Sequence, residues 1–341
     1  MSRDPAFWEK KVSKLNWGFL GTSFISLTMA DALQAEGSTR IHSVAGRSEV
    51  PLKVFAEKYD VEHTYDNFDE LIEDDVVDII YIALPNHIHH EYVIKAANAG
   101  KAILCEKSLS IDMEKTDQAL RAVADNEVFF VEGLMYLNHP FTAAIRDVIT
   151  SGELGEIQSI SAQYCADIAQ FVNPQSKGAL YNLGCYPISL MHLLLQSDFT
   201  NHIFDNYEIS AMGRRGTDGN ICESAASIRL DNGVVCQLHT AEDYGLHASF
   251  TVLGSKASLV LNSNPWLPEA EGNTFTVTPY EKVGDVRTVT AEGNAFIYQV
   301  RAIREAIEAG KKALERPAPN LEDSRQIMQL LTDWEAATVT S

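Results

Sequence analysis

Two polar residues stand where apolar runs hand the chain to loops, and both carry groups that a ligand can use. Val76 to Leu84 is an aliphatic run broken by Asp78 and ending at Pro85-Asn86, and Ala102 to Cys105 is a shorter run that delivers Glu106 and Lys107. Between them Ile88, Tyr92, Val93, Ala96 and Ala97 recur at helical spacing, with Gly100 as a left-handed stop and Asn86 placed to cap the start. Strand, helix, strand at this spacing is a right-handed crossover unit. Sheets built from such units bind ligands beyond the carboxyl ends of their strands. Asn86 and Lys107 are therefore expected at a binding site, where an ammonium can hold a developing negative charge.

A second group of residues suits a dinucleotide. Gly21-x-Ser23-x-x-Ser26 follows the first apolar strand and opens the first helix. That is where a tight turn, close backbone approach and helix-start amides would cradle pyrophosphate. Gly21 can make the turn, but Ser23 and Ser26 stand where glycines are usual. NAD-selective sites put an acid at the end of the second strand, whereas this chain has Gly46 followed by Arg47 and Ser48. An arginine fork pairs with a 2′-phosphate, so NADP is the preferred cofactor and NAD the alternative. His87, His89 and His90 invite a metal reading, but neighbouring histidines at a helix start point in different directions. No metal is expected there, and His89 is expected near the nicotinamide ribose.

Composition narrows the remaining choices. The 341 residues suffice for two cores, and 27 Lys+Arg against 47 Asp+Glu leave a net charge of −20. A field of that sign repels phosphate backbones and anionic lipid, so neither nucleic acid nor membrane is an expected partner. The five cysteines have no Cys-x-x-Cys spacing and lie in apolar stretches, as buried thiols of a cytoplasmic protein do. The first 14 residues lack the apolar core of a signal peptide, and no run approaches membrane-spanning length. Phe7 and Trp8 are expected to dock this arm on a neighbouring surface.

The elements that must position these residues divide near residue 138. Strands at Leu15–Leu20, Ile41–Ala45, Val76–Leu84, Ala102–Cys105 and Val128–Glu132 alternate with helices, which predicts a doubly wound parallel sheet over residues 1–138. Over 139–341 the period changes to two, as in Ile160, Ala162 and Tyr164, and in Ala226, Ile228 and Leu230. Asp231-Asn232-Gly233 and Gly254-Ser255 mark hairpins, so an α+β domain with a large, mainly antiparallel sheet is expected. One sheet face would pack helices and the other would meet substrate or a second subunit. A helix through Phe296, Val300, Ile303 and Ile307 and a last one from Asn320 close the chain, the last packing back on the first domain. Within Gly178 to Pro187, Asn182 and Tyr186 are spaced to share a helix face, and Gly184 permits close approach of cofactor or substrate.

Together these residues resemble the glucose–fructose oxidoreductase/inositol dehydrogenase (Gfo/Idh/MocA) family over residues 15 to 338. The resemblance rests on Gly18-x-x-Gly21, Tyr81-Ile82-Ala83-Leu84-Pro85-Asn86-x-x-His89, Ala96-Ala97-x-Ala99-Gly100-Lys101 and Glu106-Lys107. Gly152-Glu153-Leu154-Gly155 and Leu183-Gly184-Cys185-Tyr186 extend it. It implies a nicotinamide-dependent oxidoreductase that forms homodimers or homotetramers through the C-terminal sheet. The dinucleotide is then expected against Gly21, Thr22, Ser23, Phe24 and Ile25, against Arg47 and Ser48, and against Leu84, Pro85, Asn86, His89, Glu106 and Lys107.

The resemblance also assigns chemistry. Lys107 corresponds to the family's lysine beside the nicotinamide and the reacting oxygen, and Tyr186 falls at its acid–base position. Oxidising a secondary alcohol needs a group that takes the hydroxyl proton. A free phenol with pKa about 10 is a poor base, and an adjacent ammonium favours phenolate and holds the alkoxide. The chain departs from the family pattern at four places: Ser23, Ser108 after the lysine, the pair Leu137-Asn138, and Asn182 in place of a supporting carboxylate. The expected function is hydride exchange between NAD(P) and a sugar, polyol or related cyclic alcohol. The alternatives are glycosidic cleavage by transient oxidation and a non-catalytic NAD(P)-binding regulator.

Overall fold

In a computed structural model of the chain, residues 14–199 and 202–340 are described. Phe7 and Trp8 lie outside them. The first half is a six-stranded, fully parallel sheet of β1 (Leu15–Leu20), β2 (Thr39–Ala45), β3 (His63–Tyr65), β4 (Ile79–Ile82), β5 (Ala102–Cys105) and β6 (Phe130–Glu132). Their order is β3-β2-β1-β4-β5-β6, so the winding reverses between β1 and β4 and opens a crevice there. Helices α1 (Phe24–Glu36), α2 (Glu49–Tyr59), α3 (Phe68–Ile72), α4 (His89–Asn98) and α5 (Met113–Asp125) connect the strands. Trp17, Phe19, Ile80, Tyr81 and Leu104 are fully buried, which explains why these strands read as unbroken apolar runs.

Local polar groups trim the expected elements. The run from Val76 yields a strand only from Ile79, because Val77 N–H closes a turn onto the Asp74 carbonyl and Asp78 Oδ2 accepts from Asn16 N–H at 2.8 Å. Asp112 Oδ1 accepts from Lys115 N–H and so caps α5, which starts at Met113. Asn86 does not cap α4: it opens a 3₁₀ turn, Asn86–Ile88, ahead of the helix.

The second half is a nine-stranded sheet built on β7 (Ile157–Ala166), β8 (Tyr207–Arg215), β9 (Ile221–Leu230), β10 (Val235–Ala241) and β11 (Leu246–Gly254). The others are β12 (Ala257–Leu261), β13 (Asn273–Pro279), β14 (Asp285–Val289) and β15 (Thr338–Thr340), in the order β14-β13-β12-β11-β7-β10-β9-β8-β15. Only the β7–β10 and β8–β15 pairs are parallel. Both expected hairpins form, at Leu230 to Val235 and at Gly254 to Ala257. Strands β3, β13, β14 and β15 are short or threonine-rich and carry no clear aliphatic alternation, which hides them in the sequence.

Helices α6 (Pro140–Thr150), α7 (Cys185–Asp198), α8 (Ala295–Glu308) and α9 (Leu321–Ala337) complete the fold. The last two return to the first sheet's helices. Arg304 Nε meets Glu36 of α1 at 3.0 Å, and Arg325 Nε meets Asp117 of α5 at 2.8 Å. Among the described residues no helix is long and apolar enough to cross a membrane.

Candidate active site

A cleft of about 450 Å³ lies beyond the carboxyl ends of β1, β2 and β4, lined by Gly21, Thr22, Ser23, Arg47, Ser48, Leu84 and Pro85 among others. Gly21 has φ +105°, and a Cβ there would come within 2.7 Å of the Ala83 carbonyl oxygen, so only glycine makes this turn. Ser23 is the residue before α1, and its side chain does not cap the helix, which leaves the first-turn amides available to an anion. Gly46 occupies the position of the ribose-binding acid, and exposed Arg47 lies 5.4 Å above the Phe68 ring. These groups suit a dinucleotide: a glycine turn, helix-start amides and one guanidinium at the ribose end. Phe24 is exposed and Ile25 half-buried on the opening turn of α1.

Lys107 extends from the end of β5 into the second half of the chain. Its Nζ donates to the Asn182 carbonyl at 2.6 Å and sits 4.6 Å from the centroid of the Tyr186 ring. Asn182 lies in a π-helical turn, Leu180–Gly184, that runs into α7. Pro187 has no N–H, so it cannot serve the carbonyl one π turn earlier, that of Asn182. Lys107 takes that carbonyl, and Ser108 Oγ takes the neighbouring one of Tyr181 at 2.9 Å. The Lys107–Ser108 peptide is cis.

The expected contact between the Lys107 ammonium and the Tyr186 oxygen is replaced by a contact with the ring face. Tyr186 is packed among Tyr136, Tyr164 and Trp266, and burial pushes its phenol well above the ordinary value. Its hydroxyl makes no hydrogen bond among the described residues. A neutral phenol in that setting is a proton donor.

The Asn182 side chain reaches a carboxylate that the sequence did not reveal. Asn182 Nδ2 donates to Glu242 Oε2 at 2.7 Å, and Glu242 is a buried residue in the bend that follows β10. Burial pushes this carboxyl up to about 7, against the opposing hydrogen bond from Asn182. A buried carboxyl from the end of β10 therefore lies against the side chain of position 182. Glu242 is 60 residues away and stands beside Asp243, where it reads as part of a solvated acidic pair.

Other expected residues have different duties. His89 is 1 % exposed, and its ring nitrogens lie 2.6 Å from the Leu84 carbonyl and 3.0 Å from that of Ser108. It ties the β4 and β5 exit loops together from behind and does not line the cleft; its burial lowers its pKa to about 4. His87 lines the cleft instead, so the three histidines do not converge. Glu106 is buried under a 2.6 Å hydrogen bond from Tyr81, which keeps its carboxylate turned inward. Asn86 donates to the Ser176 carbonyl at 3.4 Å, and its Oδ1 is buried without a partner. A Cβ at Gly184 would meet Thr240 and Trp334 at an ordinary 3.5 Å, so this position faces packed protein and not the cofactor cleft. Trp266 is fully buried behind Tyr164.

Comparison with known proteins agrees with the two-part fold. The model of the oxidoreductase family with an NAD-binding Rossmann fold (GFO/IDH/MocA) matches residues 15–134, and that of the GFO/IDH/MocA C-terminal domain matches 142–260. An uncharacterized oxidoreductase of Rhizobium meliloti is 31 % identical over 54 % of this chain, a stretch that spans 57 % of that relative. The trans-1,2-dihydrobenzene-1,2-diol dehydrogenase of Bos taurus is 24 % identical over 94 % of this chain and 95 % of its own. A 3-ketoreductase from Actinomadura kijaniata, solved with NADP and TDP-benzene, superimposes with a TM-score of 0.85 at 24 % identity over 96 % of this chain and 98 % of its own. With both of its halves matched, the chain belongs to the GFO/IDH/MocA oxidoreductase family and is an NAD(P)-dependent dehydrogenase or reductase.

Proposed function

We propose that this enzyme interconverts a carbonyl and a secondary alcohol on a sugar, polyol or related cyclic substrate, with NADP as the preferred cofactor. The observation that carries this reading is the meeting of Lys107 and Tyr186, 4.6 Å apart from Nζ to ring centroid, at the carboxyl end of β5. Bound nicotinamide supplies or accepts the hydride. The remaining work falls to side chains of this chain. Tyr186 gives its proton to the carbonyl oxygen in reduction and takes it back in oxidation. Lys107, fixed by the Asn182 carbonyl, holds the negative charge that develops on that oxygen. Tyr186 is held protonated at neutral pH by burial, the form that donates in reduction.

Several further observations support the finer parts of this reading. Dihydrodiol dehydrogenase and a dTDP-sugar 3-reductase are both relatives over most of the chain. Arg47 at the ribose end fits a 2′-phosphate better than a bare hydroxyl. Phe24, Ser48, Asn86 and Glu106 complete or support the dinucleotide site, and His89 holds its loops. Subunits pair through the outer face of the nine-stranded sheet, where Met212 and Val339 are 75 % and 72 % exposed. The free, buried cysteines fit a cytoplasmic protein.

A panel of sugars, polyols and cyclic diols or ketones, assayed with NADP(H) and NAD(H), tests the proposal. Turnover with at least one substrate is expected, and Lys107→Ala should lower it by roughly 10²-fold or more while NADPH still binds. An unaffected rate in that variant would remove Lys107 from the chemistry.

A further inference from the structure

A second cluster of ligating side chains lies on the same sheet, away from the cofactor cleft. His42 lies in β2 and His63 begins β3, with Glu62 just before it. The pairing of Ser43 with His63 brings the three together toward the amino end of β3. His42 precedes Gly46 by four residues of strand, about 13 Å along the chain from the cleft.

His42 is 3 % exposed, and its Nδ1 is buried with no hydrogen-bond partner. That nitrogen lies 3.5 Å from Glu62 Oε2, while His63 Nε2 lies 4.0 Å from the same oxygen. The three ligand atoms are all within 4.8 Å of one another. On its far side, His42 Nε2 is 3.4 Å from Asp74 Oδ2. A neutral imidazole carries one N–H, and Asp74 draws it to Nε2. With the N–H directed at Asp74, Nδ1 is a buried lone pair facing a carboxylate oxygen, the kind of donor pair that a cation bridges.

We infer that His42, Glu62 and His63 bind a divalent cation of the zinc class and so pin the edge strand β3 to β2. Two imidazole nitrogens and one carboxylate oxygen are donors that suit Zn²⁺, and Asp74 behind His42 is the outer-shell carboxylate that orients a ligating histidine. Zinc bonds of about 2.0–2.1 Å at tetrahedral angles put ligand atoms about 3.4 Å apart, so the cluster must contract slightly. His63 and Glu62 have side chains 54 % and 55 % exposed, and both are free to move inward. Glu62 Oε1 stays with Arg40 at 3.0 Å, leaving Oε2 for the ion. The fourth position faces solvent.

The test uses tag-free, chelator-stripped full-length protein titrated with ZnCl₂ by calorimetry and with CoCl₂ by visible absorption. One equivalent should bind, the cobalt spectrum should show four-coordinate d–d bands, and zinc should raise the melting temperature. His63→Ala and Glu62→Gln, both at exposed positions, should each weaken binding at least tenfold and abolish the thermal shift, with NADPH binding unchanged. No saturable binding, equal binding in both variants, or a thiolate-to-cobalt charge-transfer band placing the ion on a cysteine would each overturn the inference.

Discussion

Lys107 is anchored to Asn182 through a backbone atom, the carbonyl oxygen 2.6 Å from Nζ, and not through the asparagine side chain. The π-helical turn that exposes this carbonyl comes from the backbone and from Pro187, so the lysine's position does not depend on what side chain occupies position 182. The Asn182 amide is left for a separate task, the hydrogen bond to Glu242. Two polar chains therefore converge on the same turn, one from β5 and one from the end of β10.

Because the two are separate, Asn182→Ala should leave Lys107 in place and act through Glu242. Losing the 2.7 Å hydrogen bond leaves a buried carboxylate unsupported, so its pKa should rise further above about 7. In the wild type, a substrate hydroxyl donating to Glu242 should bind better as the carboxyl ionises. KM should then fall as pH rises through about 7, and Glu242→Gln should flatten that dependence. Steady-state KM between pH 6 and 8.5 measures this; an unchanged profile in the variant assigns the titration elsewhere.

Tyr186 makes a different prediction about pH. Burial holds its phenol well above 10, so the reductive kcat should show no phenol limb between pH 7 and 9. Tyr186→Phe should lower kcat by roughly 10²- to 10⁴-fold, with cofactor affinity preserved. Steady-state kcat in the reductive direction and NADPH affinity, measured on both proteins, check this; an unaffected kcat in the variant would remove Tyr186 as the proton donor.

The proposed preference for NADP turns on Arg47. Arg47→Ala should raise the KM for NADP roughly 10- to 100-fold, the worth of one or two charge-assisted hydrogen bonds, and leave the KM for NAD within about threefold. Equal effects on both cofactors would mean that the guanidinium acts through its stacking on Phe68 and not through the 2′-phosphate.

Stability should also respond to pH through Glu132. This carboxyl at the end of β6 is fully buried, accepts from Leu109 N–H at 3.1 Å, and has its pKa pushed by burial from 4.5 to about 7. Between those two values the unfolded chain ionises while the folded one does not, so stability declines as pH rises from about 4.5 to 7. Glu132→Gln should match the wild type at pH 4.5 and gain on the order of 3 kcal/mol at pH 8. Urea unfolding at the two pH values is the measurement.

Much of this site was legible in the sequence because strand ends announce themselves. Lys107 and the Gly21 turn follow apolar runs that only a buried parallel strand explains, and Arg47 stands at a position fixed by counting from the first strand. Tyr186 needed the family resemblance, since a lone tyrosine in an apolar helix says nothing of its neighbours. His89 was misplaced because the 3₁₀ turn ahead of α4 rotates its ring inward, toward the Leu84 and Ser108 carbonyls. Glu242 was hidden for a topological reason: its partner lies 60 residues earlier in the chain, ahead of α7, and nothing local distinguishes it from Asp243. The His42–Glu62–His63 cluster was hidden by the same kind of pairing, across two adjacent strands joined by a helix.

The most direct test of the central claim is a double-mutant cycle of Lys107→Ala, Tyr186→Phe and the combined variant, read as kcat on the best substrate of the panel. Residues that act on one reacting oxygen lose more singly than their combination adds, so the double variant should fall within about threefold of the slower single one. Losses that multiply, or a single variant that keeps the wild-type rate, would contradict a shared site of action for the two side chains.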